Sequence, residues 1–176
     1  LLKKSWDTFK KRNKEALLNQ SALSPKRPLF GFIGRFATQK GADILCWAIR
    51  TILHQTRDAN FVILGTGAKD LEQEVWNLSQ EFPENVLPFI TYNEGLAHKI
   101  YASCDFLLMP SRFEPCGLNQ MFAMRYGTLP IVHATGGLVD TVTDIDKGGT
   151  GIQFDTPEVL SLVKAILRGV DLYNDK

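Results

Sequence analysis

From Leu29 almost to the end of the chain, short apolar runs alternate with longer stretches in which apolar residues recur every three or four positions. The runs Leu29 to Ile33, Phe61 to Leu64, Val86 to Ile90, Asp105 to Met109, Leu129 to Val132 and Gly151 to Phe154 predict six strands. Nearly continuous apolar strands separated by helical patterns predict an α/β domain, with a parallel sheet covered on both faces. Ahead of them Leu2, Trp6, Phe9, Ala16 and Leu17 fall at roughly helical spacing among lysines, which predicts an amphipathic first helix. Ser24-Pro25-Lys26-Arg27-Pro28 reads as a linker, so residues 1–24 are expected to form a helix and linker and residues 25–176 the domain proper. At the other end Thr156 is the expected N-cap and Pro157 the first turn of a helix running apolar through Leu160, Val163, Ile166 and Leu167.

Composition narrows this picture without changing it. A chain of 176 residues with 44% hydrophobic residues can bury one good core and excludes wholesale disorder. The net charge of +1 conceals a basic start, since Leu1 to Arg27 holds eight Lys or Arg against two acids. Those lysines lack the interleaved aromatics of a nucleic-acid surface and read as the solvated face of a linker helix. Cys46, Cys104 and Cys116 are an odd number without metal-ligand spacing, which favours a reducing compartment over a disulfide framework or a zinc site. No apolar stretch approaches a bilayer span, so no membrane partner is expected. The opening Leu1 reads as a fragment's start, which leaves a cytoplasmic location expected, or a plastid one if a leader has been removed.

The chemistry lies in the loops after the strands, because ligands of open parallel sheets bind at the carboxyl ends of the strands. After the first strand, Gly34-Arg35-Phe36-Ala37-Thr38-Gln39-Lys40-Gly41 offers a planar guanidinium and a mobile ammonium, a pair suited to a diphosphate. After the fourth, Pro110-Ser111-Arg112-Phe113-Glu114-Pro115-Cys116-Gly117-Leu118 places a carboxylate beside a Gly-bearing helix start. After the fifth, Thr135-Gly136-Gly137 can bring backbone N–H groups close to an anion, although such a pair is most often only a turn. Tyr92 can present a flat ring to a nucleobase, with rim packing as the plainer alternative, and His98 reads as structural.

Two motifs are discounted. Gly65-Thr66-Gly67-Ala68-Lys69-Asp70 begins like a dinucleotide fingerprint but has Asp70 where the third glycine belongs, so NAD binding is discounted and it reads as a strand-to-helix turn lining the site. Asp144-Ile145-Asp146 has the spacing of a metal clamp, yet it sits among Thr143, Lys147, Gly148 and Gly149 and reads as a solvated acidic loop. Together the remaining loops suit a sugar nucleotide: cations for the diphosphate, a ring for the base, a carboxylate for sugar hydroxyls.

Gly34-Arg35-Phe36 through Lys40-Gly41, the run Ser111 to Leu118, Arg125-Tyr126-Gly127-Thr128-Leu129-Pro130 and Thr135-Gly136-Gly137-Leu138 resemble the carboxyl-terminal domain of bacterial glycogen synthases and plant starch synthases. The resemblance implies a Rossmann-like three-layer domain, the C-terminal half of a GT-B fold. It also implies a retaining transfer of glucose from ADP-glucose to the non-reducing end of an α-1,4-glucan, without a metal. By that resemblance Arg35 and Lys40 bind the diphosphate, and Glu114 hydrogen-bonds the glucose beside the Cys116, Gly117 and Leu118 backbone. Thr135, Gly136 and Gly137 hold the donor's phosphate or sugar end, and Tyr92 stacks on adenine. Many retaining GT-B enzymes carry a second Glu eight residues after the first to grip the ribose; here that position is Phe122, and Gln120 is the expected substitute. Nothing in the chain corresponds to the amino-terminal acceptor domain, so a donor-binding half that is inactive alone is expected. A UDP-sugar transferase domain and a noncatalytic nucleotide- or glucan-binding module are the alternatives.

Overall fold

The computed structural model describes residues 2–175, with side chains from Ser5 to Asp175; Leu2 of the first apolar stripe therefore has its side chain outside the described residues. Helix α1 (Leu2–Leu18) precedes a regular alternation: β1 (Leu29–Ile33), α2 (Ala42–Gln55), β2 (Asn60–Gly65), α3 (Lys69–Glu81), β3 (Val86–Ile90) and α4 (Glu94–Ser103). Then follow β4 (Phe106–Met109), α5 (Asn119–Arg125), β5 (Leu129–His133), α6 (Gly137–Thr141), β6 (Ile152–Phe154) and α7 (Val159–Asn174). All five strand pairings are parallel, in the order β3-β2-β1-β4-β5-β6. The strand order reverses between β1 and β4, which opens a crevice at their carboxyl ends.

Period-2 alternation sorts the strand residues into two cores. Phe30, Phe32, Phe61, Ile63, Phe106 and Leu108 face α2, α3 and α7, where Leu45, Ile49, Ile52, Leu78, Leu162 and Ile166 meet them. Phe30 stacks between Phe61 and Phe106, with ring centroids 5.4 and 4.9 Å away. On the opposite face Val62 and Leu64 pack with Ile100 of α4 and Leu18 of α1, while Leu107, Met109 and Val132 pack with Tyr101, Ala123 and Leu138. The result is a three-layer α/β domain.

Two local expectations change. The α1 lysines are not all solvated: Lys14 is 6% exposed and pairs with Asp105 at 2.7 Å, and its ammonium also donates to the Arg27 carbonyl. Lys10 donates to the Cys104 carbonyl and to Thr128 Oγ1, so both side chains fasten α1 to the amino ends of β4 and β5. Their long stems reach across the apolar surface to carbonyls and a half-buried carboxylate at the edge of the sheet. At the far end, α7 begins two residues later than expected, with extended Glu158 as its N-cap. The Thr156 hydroxyl pairs with Ser161 Oγ at 2.6 Å rather than with a helix N–H, and residues before a proline avoid helical geometry.

Candidate functional site

Helix crossovers place the loops after β1 and β4 side by side at the strand-order reversal, and side chains then lock them together. The first is loop 34–41, whose 3-10 turn Thr38–Lys40 leads into α2. The second is loop 110–118. Arg112 makes a bidentate pair with Asp43 in the first turn of α2, at 2.7 and 2.8 Å, and donates to the Thr38 carbonyl at 2.6 Å. Burial pushes the Asp43 carboxyl up, but the hydrogen bonds and charge of Arg112, together with the Asp43 and Ile44 N–H groups, outweigh this and leave it below its ordinary value. The backbones join too: the Arg112 N–H bonds the Gln39 carbonyl at 2.9 Å, and Gly41 backs directly onto the Pro110 carbonyl.

This junction brings Lys40 and Glu114 together. Lys40 Nζ lies 2.5 Å from Glu114 Oε2, and Ser111 Oγ donates to the same oxygen at 3.1 Å. Glu114 is buried, and its second oxygen carries no hydrogen bond among the described residues. Below it, the His133 ring bonds the Ser111 carbonyl at 2.7 Å; a carbonyl only accepts, so Nδ1 carries the proton.

The third loop buttresses the second. Gly137 donates its N–H to the Glu114 carbonyl at 3.0 Å, so that group serves the loop rather than an outside anion. At Gly136, φ is +48° and an added Cβ would lie 2.2 Å from the Glu114 carbonyl oxygen. Glycine is required there by both conformation and contact. Thr135 sits beside it, half-buried.

At the same sheet edge lies a cavity of about 650 Å³, lined by the loops after β1, β2 and β3 and by α4 and α5 rather than by Lys40 or Glu114 themselves. Gly34 and Arg35 form one wall, Gly65 to Gly67 another, and Tyr92, His98, Tyr101, Asn119 and Phe122 line the remainder. Tyr92 is 85% exposed, with its ring free at the rim, and Arg35 is exposed with no ion pair among the described residues. The Gly65 to Gly67 turn is held firmly. Glu72 accepts from the Thr66 hydroxyl and the Gly67 N–H, and Lys69 foremost, with these donors, holds its carboxyl down at about 2. Loop 34–41 continues the pairing, with the Phe36 N–H on the Thr66 carbonyl. The discounted fingerprint is thus a wall of the cavity.

The structure gathers Arg35, Lys40, Tyr92, Glu114, Cys116, Gly117, Leu118, Thr135, Gly136 and Gly137 along one edge of the sheet. Gln120 is different: it is fully buried, and its amide donates to the Cys116 and Gly117 carbonyls and to Thr141 Oγ1. It cannot reach a ribose. Phe122 lines the cavity against His98, ring centroids 6.0 Å apart, and His98 bonds the Tyr126 hydroxyl at 3.1 Å. Sequence reasoning missed Arg112 and Asp43 as the groups that join the loops, and Ser111 as a partner of Glu114; Asp43, just past Gly41 in a helix's first turn, was the available signal.

Asp144 is not part of a solvated loop. It is 8% exposed, and both carboxylate oxygens are taken: Oδ1 by Arg168 and the Asp146 N–H, Oδ2 by Arg168 and the Gln153 N–H. The Arg168 guanidinium, helped by those N–H groups, holds its carboxyl down at about 2. Such a carboxylate ties the segment before β6 to α7 and has no lone pair to spare for a metal.

Residues 13–174 match the family described as glycosyl transferases group 1. The chain belongs to this family. It is 48% identical to a glycogen synthase of Flavobacterium johnsoniae over 98% of its own length, but spans 37% of that relative. A glycogen synthase of Cellvibrio japonicus is 47% identical over 93% of the chain, which covers 35% of the relative. Among solved structures, the catalytic domain of starch synthase IV from Arabidopsis thaliana, bound to ADP and acarbose, superposes with a TM-score of 0.87 at 38% identity. That match covers 95% of this chain and 36% of the starch synthase chain. The chain is therefore a glycosyltransferase domain that spans little more than a third of its relatives, and none of its described helices is long and apolar enough to cross a membrane.

Proposed function

We propose that this chain is the donor-binding half of a retaining glucosyltransferase of the glycogen and starch synthase type, which takes glucose from ADP-glucose for the non-reducing end of an α-1,4-glucan. The observation that carries the reading is the Lys40–Glu114 pair at the strand-order reversal, on the same sheet edge as a cavity rimmed by Tyr92 and by Arg35 of the Lys40 loop. The base would stack on Tyr92. Arg35 and Lys40 would neutralise the diphosphate, and the free oxygen of Glu114 would accept a glucose hydroxyl. Negative charge develops on the leaving diphosphate in the transition state, so these cations act where they lower the barrier most.

No metal is needed in this scheme, since two cations neutralise the diphosphate. The starch synthase relative solved with ADP supports adenine as the base. An acceptor domain beyond residues 1–176 would complete the cleft, and the isolated chain would bind donor without turning it over. A cytoplasmic setting suits these soluble substrates.

Calorimetric titration of the chain with ADP and with UDP tests this. The expected result is ADP binding in preference to UDP, abolished by Arg35→Ala with Lys40→Ala. Equal binding of both nucleotides would refute the ADP assignment and favour a UDP-sugar transferase domain. Absence of binding would refute the donor site itself.

A further inference from the structure

Gln120 has an unusual position for an amide. It is fully buried, its Nε2 faces three acceptors, and its Oε1 has no partner. The orientation is fixed by chemistry: the Thr141 hydroxyl gives its proton to the Gly137 carbonyl at 2.7 Å, so it can only accept from Gln120. A flipped amide would set Oε1 against two carbonyl oxygens. An unsatisfied buried oxygen is costly, and an apolar side chain of the same shape would avoid that cost.

The consequence lies in the peptide planes. In a trans peptide the carbonyl of one residue and the N–H of the next point in opposite directions. With the Cys116 and Gly117 carbonyls both drawn inward to one nitrogen, at 3.1 and 3.0 Å, the N–H groups of Gly117 and Leu118 point away from the buried amide. Gly117 at φ +72° followed by Leu118 at φ −118° and ψ −27° is the left-then-right-handed sequence that converges successive N–H groups on one acceptor. Glu114 lies three residues ahead in the same loop.

We infer that Gln120 is a positioning residue that turns the Gly117 and Leu118 N–H groups outward to hold an oxygen at the sugar-phosphate end of the donor. The inference rests on the donor-site reading. Gln120→Met keeps the shape and removes the donors. With folding checked by thermal melting, the variant is expected to weaken ADP-glucose binding at least about tenfold, the worth of a charge-assisted hydrogen bond. AMP, which occupies only the base end, should bind the variant and the wild type alike. Unchanged ADP-glucose affinity overturns the inference while leaving the donor site standing; equal weakening of AMP overturns it as well, by showing a general structural effect. A wild-type chain that binds neither compound overturns both. Where Gln120→Met does not fold, wild-type amide resonances decide: those of Gly117 and Leu118 must move on addition of ADP-glucose and stay put with AMP, and unmoved resonances overturn the inference.

Discussion

Asp144→Asn tests how the last third of the domain is held. The wild-type carboxyl sits at about 2 instead of its ordinary 3.8, because Arg168 and two backbone N–H groups favour the charged form. A carboxyl depressed by folding stabilises the native state above its unfolded pKa and stops doing so as pH falls through its folded pKa. That difference corresponds to about 2 kcal/mol at neutral pH, of which roughly half, about 1 kcal/mol, is gone by about pH 3. The Asn variant keeps the side chain's size and removes the titration. Urea unfolding of both proteins between about pH 6 and about pH 3 should therefore show the wild-type advantage shrinking by about 1 kcal/mol as the solution is acidified. All other titrating groups cancel in the comparison. A gap that stays constant with pH, or widens on acidification, would refute the account of Asp144 as a buried, fully bonded anion.

Lys14→Met leaves half-buried Asp105 without its cation and with only the Leu29 N–H as a partner among the described residues, and thermal melting should show a loss of about 3 kcal/mol, or about 6 to 12 °C in Tm for a domain of this size; a shift below about 2 °C would refute a stabilising role for this pair. Gly136→Ala forces a side chain into positive φ against the Glu114 carbonyl, at an expected cost of about 1 to 3 kcal/mol by urea titration, with weakened donor binding because Glu114 shifts. Tyr92→Ala removes the exposed ring from the cavity rim, and calorimetry should find ADP bound about 5- to 150-fold more weakly, with little change in stability.

Much of the architecture was legible because the apolar runs are short and nearly unbroken, a pattern typical of strands buried on both faces. β1 and β3 fall where the sequence places them, and β2 extends one residue at each end because Asn60 and Gly65 also pair with neighbouring strands. The Glu114 loop was legible because a carboxylate and glycine following an apolar strand is a local signal. The strand-order reversal that sets Lys40 against Glu114 was not, since it depends on which strands become neighbours. Lys10, Lys14, Gln120 and Asp144 escaped for one shared reason: their partners lie on elements remote in the chain or on backbone carbonyls, which leave no mark on the side-chain pattern. A polar residue read in isolation looks solvated. Thr156 shows the converse, a good capping side chain that found a nearer hydroxyl.

The Lys40–Glu114 contact also sorts ligands by what they carry. A simple anion that draws the ammonium to itself strands a buried carboxylate with only the Ser111 hydroxyl for company, and a neutral sugar meets a carboxylate already half engaged. A molecule that brings negative charge and hydroxyl donors on one frame compensates both groups together. The pair therefore behaves as a two-key lock: phosphate and glucose each hold one key, and a sugar joined to a phosphate holds both.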